Sequence, residues 1–216
     1  MPTTPDQFLD YFDKHYRERL SAYRIRGELA NRYVGFRAMF DYLLQEKNSD
    51  FTIVETGTLR NAGHWPDGQS SYVFRDFIEH FGGKLITIDI SAENMLACQT
   101  YLQQHFKDSE RAQVQFTVAD AVVALQKIQE PVDLIYLDSY DFDPHNPMPS
   151  MLHHMKELLS CQKILAQKPN VLVGVDDNFK TPELRHGKGY LVKEWVKQVG
   201  YKVLLDDYQF IFEYRA

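Results

Sequence analysis

The chain has 216 residues, 44% of them hydrophobic, and a formal net charge of -6. This indicates one globular unit with a substantial core, and no general attraction to nucleic acid or anionic membranes. The two cysteines, Cys98 and Cys161, suggest neither a disulfide framework nor a metal site. The first residues lack the features of a secretory signal, and no apolar stretch approaches the ~20 residues that span a bilayer. We therefore expect a cytoplasmic protein without nucleic-acid or membrane partners.

The first fifty residues differ in pattern from the rest of the chain. Aromatic and apolar residues recur at helical spacing over residues 6–19 and again over 31–45. We interpret residues 1–50 as an N-terminal helical extension whose aromatic side chains pack in the core or at an interface. A cap over a substrate and a homodimer contact through these helices are the alternatives.

From residue 51 to 216, short apolar runs alternate with helical patterns. Nearly continuous apolar runs predict strands buried on both faces of a parallel sheet, and they cover 52–54, 84–88, 114–118, 132–137 and 170–175. Helices are predicted between and after them, over 71–81, 92–106, 121–129, 149–167 and 190–199. The last two runs, 201–205 and 209–214, predict an antiparallel hairpin. Together these elements predict an α/β fold: a Rossmann-like, doubly wound, seven-stranded sheet, mostly parallel, with helices on both faces.

Each of the five predicted parallel strands ends at an acidic residue. In doubly wound sheets, ligands bind beyond the carboxyl ends of the strands, so these acids and their neighbours are candidate site residues. They are Glu55 with Gly57 and Thr58, then Asp89, Asp120, Asp138, and the run Asp176, Asp177 and Asn178. Five acids in register are hard to explain by the solvation of an ordinary surface.

Several of these residues suit the parts of a nucleoside-containing ligand. Gly57 allows a close backbone approach, and Glu55 beside it could accept a hydrogen bond from a ligand ammonium. Asp89 could bind both hydroxyls of a ribose, or cap the helix that follows Ser91. Asp120 could accept from an adenine amino group, and it is also placed to be the N-cap of the next helix.

The order of these motifs resembles the class I S-adenosylmethionine (SAM) dependent methyltransferases. The matching segments are VETGT (54–58), TIDIS (87–91), VADA (118–121), LIYLDS (134–139) and the terminal hairpin. The resemblance implies that Glu55, Gly57 and Thr58 line the methionine part of SAM, that Asp89 holds the ribose, and that Asp120 holds the adenine. It also implies methyl transfer to a small-molecule acceptor, with Ser70 and Asp138 completing the cofactor-binding set.

The loop after the first strand departs from the family pattern. The compact E-x-G-x-x-x-G turn is expanded over residues 57–71, where Arg60, His64 and Trp65 could cover the cofactor, contact the acceptor or form a packed surface loop. We expect Ser70 to be the N-cap of the following helix, with nearby amides facing an anionic group. G-x-G-x-x-G is absent, which disfavours a dehydrogenase.

The acids after the fourth and fifth strands predict a metal site. Asp138, Asp176, Asp177 and Asn178 offer the oxygen ligands that suit Mg²⁺, and carboxylates crowded together without a cation would repel each other. The set also resembles two groups of methyltransferase-fold enzymes. Metal-dependent O-methyltransferases of the catechol type match at Asp138, Asp177 and Asn178. Macrolide sugar O-methyltransferases and cephalosporin hydroxylase-like relatives match at Asp176 and Asp177, so the third ligand stays open.

A bound cation would lower the pKa of an acceptor hydroxyl and orient its oxygen toward the SAM methyl group. Catechol-type enzymes place a Lys three residues after the first metal Asp, where this chain has Asp141. The candidate bases beside Asp138 are therefore Asp141, His145 and His153. Residues 185–189, which include Lys188, are interpreted as a flexible loop: either a lid whose lysine reaches an anionic group, or an ordinary exposed loop.

These observations favour a Mg²⁺-assisted, SAM-dependent O-methyltransferase acting on a small hydroxylated molecule. Three alternatives remain open. They are a metal-independent class I methyltransferase, a SAM-binding or nucleotide-binding protein without transferase activity, and an oxidative enzyme on the same fold, because a fold does not determine its chemistry.

Overall fold

The computed structural model describes residues 4–21, 23–25, 28–107, 109–180 and 187–215. The N-terminal part comprises α1 (Pro5–Ser21), a small antiparallel pair β1 (Tyr23–Ile25) and β2 (Glu28–Ala30), and α2 (Arg32–Glu46). Then follow β3 (Phe51–Thr56), α3 (Ser70–Phe81), β4 (Gly83–Asp89), α4 (Ala92–His105), β5 (Ala112–Val118), α5 (Ala121–Leu125), β6 (Leu134–Leu137), α6 (Met148–Ser160), α7 (Gln162–Leu165) and β7 (Asn170–Val175). The last elements are α8 (Tyr190–Val199), β8 (Lys202–Asp206) and β9 (Phe210–Arg215). None of the described helices is both long and apolar enough to cross a membrane.

Seven strands form the main sheet in the order β5-β4-β3-β6-β7-β9-β8. The pairs from β5 to β7 are all parallel, whereas β9 runs antiparallel to both β7 and β8. The chain moves outward from β3 through β4 to β5, then returns to place β6 on the other side of β3. This reversal creates a switch point between β3 and β6, where ligands bind in such sheets. The predicted sheet, including its C-terminal hairpin, is confirmed.

Two apolar cores cover the two faces of this sheet. Alternate strand residues point to opposite faces, so Ile53 packs beneath α1, α2 and α3, and its neighbour Val54 packs beneath α5 to α8. Other strand residues of the first core are Phe51, Leu85, Leu134, Tyr136, Leu172 and Ile211. Those of the second include Ile86, Ile135, Val171, Val173 and Phe210. Burial on both faces explains why the strands read as continuous apolar runs.

The aromatic side chains of α1 and α2 belong to the first core. Phe8, Phe12, Phe36 and Phe40 are all buried. Phe40 stacks on Phe77 of α3, with ring centroids 4.4 Å apart and planes 7° from parallel. The helices of residues 1–50 therefore cover one face of the sheet in this chain. A homodimer contact through them stays a prediction.

Helix boundaries differ from the prediction by more than two residues in two places, and one pair of strands was not predicted. The helix predicted over 121–129 ends at Leu125, where the chain continues in turns. The helix predicted over 149–167 is divided into α6 and α7 at Cys161, whose amide bonds to the Leu158 carbonyl three residues back and so tightens the last turn of α6. The strands β1 and β2 are three residues each, too short to show an alternating pattern.

Candidate functional site

The backbone turns sharply where β3 ends, beside the end of β6. Gly57 has a φ of +78°, and a Cβ at this position would lie 2.5 Å from the carbonyl oxygen of Asp138. Glycine therefore meets both a conformational and a steric requirement. The next amide, of Thr58, donates to Oδ2 of Asp89 at 3.1 Å. These contacts join the ends of β3, β4 and β6 at the switch point.

Glu55 lies near the end of β3, two residues before Gly57, and is fully buried. Its Oε2 accepts hydrogen bonds from the hydroxyls of Ser71 (2.7 Å) and Thr87 (3.0 Å), and Ser71 in turn accepts from the amide of Leu59 at 3.0 Å. Burial raises the pKa of Glu55 to about 7, although hydrogen bonds from Ser70, Ser71 and Thr87 oppose the rise. Its Oε1 has no hydrogen-bond partner among the described residues. Glu55 thus helps to hold the backbone after the turn through Ser71. Its contact with a ligand ammonium stays a prediction.

The start of α3 corrects one expectation. Ser70 is the first residue of the helix, and the N-cap position belongs to Gln69, which has a left-handed φ of 48°. The Gln69 side chain holds the expanded loop instead of capping the helix: its Nε2 donates to the carbonyl of Asn61 (2.9 Å), and its Oε1 accepts from the amide of Gly63 (3.1 Å). The prediction that Ser70 is the N-cap is therefore wrong, because the loop places Gln69 there.

A cavity of about 530 Å³ opens over the switch point, a volume within the usual range for small-molecule sites. The predicted site residues that line it are Gly57, Thr58, Arg60, Ser70, Asp89, Asp138, Asp141, Asp177 and Lys188. The predicted residues that are not among its lining residues are Glu55, His64, Trp65, Asp120, His145, His153, Asp176 and Asn178. The lining therefore comes from the ends of β3 and β4 on one side and of β6 and β7 on the other.

Asp89 and Asp120, the two acids predicted to bind ribose and adenine, differ in their surroundings. Asp89 lines the cavity, and its Oδ1 accepts from the amide of Ser91 at 2.7 Å. Its position at the end of β4 suits a carboxylate that binds ribose hydroxyls. Asp120 is exposed and is the N-cap of α5, accepting from the amide of Val123 at 3.2 Å. Its capping role is confirmed, and its contact with adenine stays a prediction.

A buried arginine, which sequence reasoning missed, contacts the acids at the end of β7. Arg32 is the first residue of α2 and is 5% exposed. Its Nε lies 2.7 Å from Oδ2 of Asp176, and its Nη2 lies 3.0 Å from Oδ1 of Asp177. Its Nη1 donates to the carbonyl of Pro66 at 2.8 Å, and its guanidinium lies over the ring of Tyr208. The Arg32 side chain thus connects α2 with the expanded loop, with the end of β7 and with the terminal hairpin.

Lys188 is the second buried cation of this cluster. Its side chain is 2% exposed, and its Nζ lies 2.5 Å from Oδ1 of Asp138 and 3.0 Å from Oδ2 of Asp177. Burial alone would lower the pKa of Lys188, but the two carboxylates outweigh it and raise the pKa. Burial would likewise raise the pKa of Asp177, but Lys188 and Arg32 hold it well below its usual range. The anionic groups that Lys188 reaches are those of the protein itself, so the expectation of an exposed loop is wrong for residues 187–189, while 185 and 186 lie outside the described residues.

Of the four predicted metal ligands, only Asp138 and Asp177 line the cavity, and the set does not fit a divalent cation in this arrangement. Asp138 and Asp177 already share the ammonium of Lys188. Asn178 is buried, and its side chain donates to the carbonyl of Val175 and accepts from the amide of Gly189. Oδ1 of Asp176 is unpaired among the described residues, but Asp176 is not among the residues that line the cavity. Within the described ranges, no group of three or more His, Cys, Asp or Glu side chains could hold a metal ion.

Two of the three candidate bases, Asp141 and His145, are poorly suited to accept a proton from a ligand in the cavity, and two residues of the expanded loop do not line it. Asp141 lines the cavity, but its side chain is exposed and already forms an ion pair with Arg60 at 3.0 Å, which lowers its pKa. His145 lies on an exposed turn away from the cavity lining. Within the loop, Arg60 lines the cavity, whereas His64 lies outside the lining beside Asp67, and Trp65 packs against the first core.

His153, the third candidate, reaches the cavity through another residue. Its Nε2 lies 2.9 Å from the hydroxyl oxygen of Ser139, which lines the cavity. The Ser139 hydroxyl donates to Oε1 of the fully buried Glu157 at 2.7 Å. The cavity wall therefore carries a hydroxyl that is hydrogen-bonded to both a histidine and a carboxylate.

Comparisons with known proteins bear on the fold. No protein-family model matches the sequence, and no curated protein matches it. Among solved structures, the chain is similar to a candidate caffeoyl-CoA O-methyltransferase from Staphylococcus aureus, with 16% identity, 96% of this chain and 92% of that chain covered, and a TM-score of 0.55. It is also similar to a methyltransferase from Geobacter sulfurreducens, with 13% identity, coverage of 100% and 90%, and a TM-score of 0.52. The chain therefore has the Rossmann-like fold of the methyltransferases, as its sequence predicted.

Proposed function

We propose that the protein is a SAM-dependent methyltransferase that acts on a small molecule. The observation that carries the proposal is the cavity at the switch point, with the Asp89 carboxylate on its wall and Gly57 at the turn after β3. A carboxylate at the end of the second parallel strand is placed to bind ribose hydroxyls. Both structural neighbours are named as methyltransferases, which supports the same interpretation.

The two sides of the cavity suggest how the ligands are arranged. Gly57 and Thr58 would hold the methionine part of SAM, and Asp89 would hold its ribose. Bound SAM would supply a sulfonium methyl group that a nucleophile can accept. The acceptor would then approach from the side of Asp138 and Ser139, where the cavity wall is polar. Holding both reactants in line would provide much of the rate acceleration.

The arrangement favours the metal-independent form of this reaction over the Mg²⁺-assisted form. Metal assistance needs carboxylate oxygens that are free to bind the cation, and those of Asp138 and Asp177 that face Lys188 are already paired. The acceptor proton therefore needs a protein group to receive it. Ser139 is the cavity-lining group that best meets this need, since its hydroxyl is hydrogen-bonded to Glu157.

We infer a proton relay through Ser139 for an acceptor that loses a proton, such as a hydroxyl or an amine. As the acceptor atom bonds to the methyl carbon and the sulfur–methyl bond breaks, the acceptor proton passes to the oxygen of Ser139. The original hydroxyl proton of Ser139 passes to Oε1 of Glu157, 2.7 Å away. His153, 2.9 Å from the same oxygen, keeps the hydroxyl aligned. The relay protonates Glu157, and this loss of one negative charge balances the loss of the positive charge on the sulfonium.

Replacing Asp89 by alanine tests the cofactor site. We expect isothermal titration to show that the wild-type protein binds S-adenosylhomocysteine and that the Asp89→Ala variant binds it about 10- to 100-fold more weakly, because hydrogen bonds to a charged group are lost. Asp143→Ala, an acid on an exposed turn outside the cavity lining, is the control and should bind normally. If the wild-type protein does not bind S-adenosylhomocysteine, the proposed function fails.

Replacing Ser139 by alanine tests the relay, once an acceptor has been found by screening with methyl-labelled SAM. We expect kcat to fall about 100-fold, within the usual range for the loss of acid–base catalysis, while the affinity for S-adenosylhomocysteine stays unchanged. Ser150→Ala, a buried serine that donates to a backbone carbonyl outside the cavity lining, should leave both unchanged. Binding without methylation of any acceptor would instead favour a SAM-binding protein without transferase activity.

A further inference from the structure

The acidic end of the cavity carries its own cations. Three carboxylates, those of Asp138, Asp176 and Asp177, contact two buried cationic side chains, Arg32 and Lys188. Asp177 contacts both cations, one through each of its oxygens. Of the two, Lys188 lies between the carboxylates that line the cavity, which is the place where the sequence predicted a metal ion.

The chain holds Lys188 in this place through a tightly packed segment, Gly187–Lys188–Gly189. A Cβ on Gly187 would lie 2.4 Å from both the Asn178 Cα and the Asp177 carbonyl oxygen, and a Cβ on Gly189 would lie 2.6 Å from Oδ1 of Asn178. The amide of Lys188 donates to the carbonyl of Asp177 at 3.1 Å, and that of Gly189 donates to Oδ1 of Asn178 at 3.2 Å. The two glycines thus let this segment lie directly on the end of β7, with the lysine between them directed at the acids.

We propose that Lys188 is the resident cation of the acceptor side of the cavity and takes the place of a divalent metal ion. As a positioning residue, it holds the carboxylates of Asp138 and Asp177 through one positive charge that both contact, without any added ion. A cation that lies between two close carboxylates offsets their mutual repulsion. The inference rests on the proposed function for its role in methyl transfer, but the ion contacts themselves can be tested without SAM.

The proposal predicts that a metal site appears when the ammonium is removed. Lys188→Met keeps the length of the side chain and leaves Asp138 and Asp177 without their shared partner. Their oxygens then face the cavity as free ligands of the kind that hard divalent cations prefer. The wild-type protein, with a positive charge at that place, should repel the same ions.

The experiment is a titration of the purified proteins with Mn²⁺ alone, in which electron paramagnetic resonance measures the concentration of the free ion at each step. We expect no stoichiometric binding to the wild-type protein and one site in Lys188→Met, with affinity at least about 10-fold higher than in the wild type. Lys193→Met is the matched control, because Lys193 also pairs with an aspartate, Asp206 at 2.6 Å, but outside the cavity lining. It should behave as the wild type does.

Two outcomes would overturn the proposal. One is stoichiometric Mn²⁺ binding to the wild-type protein that Asp177→Asn abolishes. The other is the absence of Mn²⁺ binding in a Lys188→Met protein whose circular dichroism shows that it is folded. If Lys188→Met does not fold, Lys188→Gln is titrated in its place, and the wild-type result decides if neither variant folds. A failure to bind S-adenosylhomocysteine would overturn the proposed function alone, since the titration with Mn²⁺ contains no cofactor.

Discussion

Replacing Arg32 by methionine is expected to lower the free energy of unfolding by about 3–5 kcal/mol, the usual cost of removing one partner of a buried ion pair. The guanidinium is buried and contacts Asp176 and Asp177 at 2.7 and 3.0 Å. Methionine fills part of the space but leaves both carboxylates without this partner. The variant also loses the hydrogen bond to the Pro66 carbonyl. Urea unfolding near neutral pH measures the difference.

Arg37→Met is the matched control for this prediction, because Arg37 lies on the same helix and also forms two ion pairs. Its partners are Asp13 at 3.1 Å and Asp41 at 3.6 Å, and its side chain is 31% exposed. Partly exposed pairs of this kind contribute about 1 kcal/mol or less, so the loss should be small. Equal losses in the two variants would contradict the prediction that the buried ion pairs of Arg32 stabilise the fold more than the exposed pairs of Arg37.

The pH dependence gives a second check on Arg32. In the wild-type protein the pKa of Asp177 lies below its usual range, so its pairing stabilises the fold above the unfolded pKa of about 3.9 and is lost as the pH falls through the lower folded value. Burial already raises the pKa of Asp176 in the wild-type protein, with Arg32 opposing the rise, so without Arg32 the pKa of Asp176 should rise further and that of Asp177 should rise as well. Protons can then neutralise these acids, so the difference between variant and wild type should shrink as the pH is lowered from about 7 to 5.

The fold was predictable because its strands are buried on both faces. Burial makes each strand a continuous apolar run, and the acid after each run marks the edge where the parallel strands end. The same reasoning predicted that Asp89, Asp138 and Asp177 lie at one edge of the sheet, and all three line the same cavity. These features are local in sequence, since each depends on a strand and on the residues that directly follow it.

The cations of the site could not be predicted in the same way. Arg32 contacts Asp176 across 144 residues of sequence, and an arginine at the start of a helix gives no local indication that it is buried. Lys188 had one indication, the glycine on each side of it, which is also what a flexible loop shows. The difference between a loop and a packed segment lies in contacts with Asn178, which only the tertiary structure reveals.

Replacing Glu55 by glutamine is expected to stabilise the protein by about 3 kcal/mol at pH 8. Burial raises the pKa of Glu55 from 4.5 to about 7, and a tenfold change in a proton-binding constant corresponds to about 1.4 kcal/mol. Because the folded pKa is the higher one, the stability that protonated Glu55 contributes is fully present below pH 4.5 and is lost as the pH rises through about 7. Glutamine stays neutral throughout, so the gain should vanish near pH 4.5 and be complete above pH 7.

Glu157→Gln should show the opposite sign and therefore serves as the control. Glu157 is also fully buried, and burial alone would raise its pKa, but His153, His154 and Ser139 outweigh this effect and lower it. Its ionised form is thus the one that the fold stabilises, and glutamine should destabilise the protein at pH 8. Urea unfolding of both variants at pH 5 and pH 8 makes the comparison, and a Glu55→Gln variant less stable than the wild type at pH 8 would contradict the prediction.

The loss of stability that ionised Glu55 causes also has a bearing on function. Its carboxyl group has one oxygen without a hydrogen-bond partner among the described residues, and it lies two residues before the turn at Gly57. Groups kept in unfavourable surroundings occur often at functional sites, where a ligand or a mechanism needs them. We therefore expect Glu55→Gln to stabilise the unliganded protein but to weaken its binding of S-adenosylhomocysteine. The reason is that Glu55 accepts hydrogen bonds from Ser71 and Thr87 and so helps to hold the loop that forms one wall of the cavity. A variant that gains stability without losing affinity would show that this carboxylate is a cost without a role in the site.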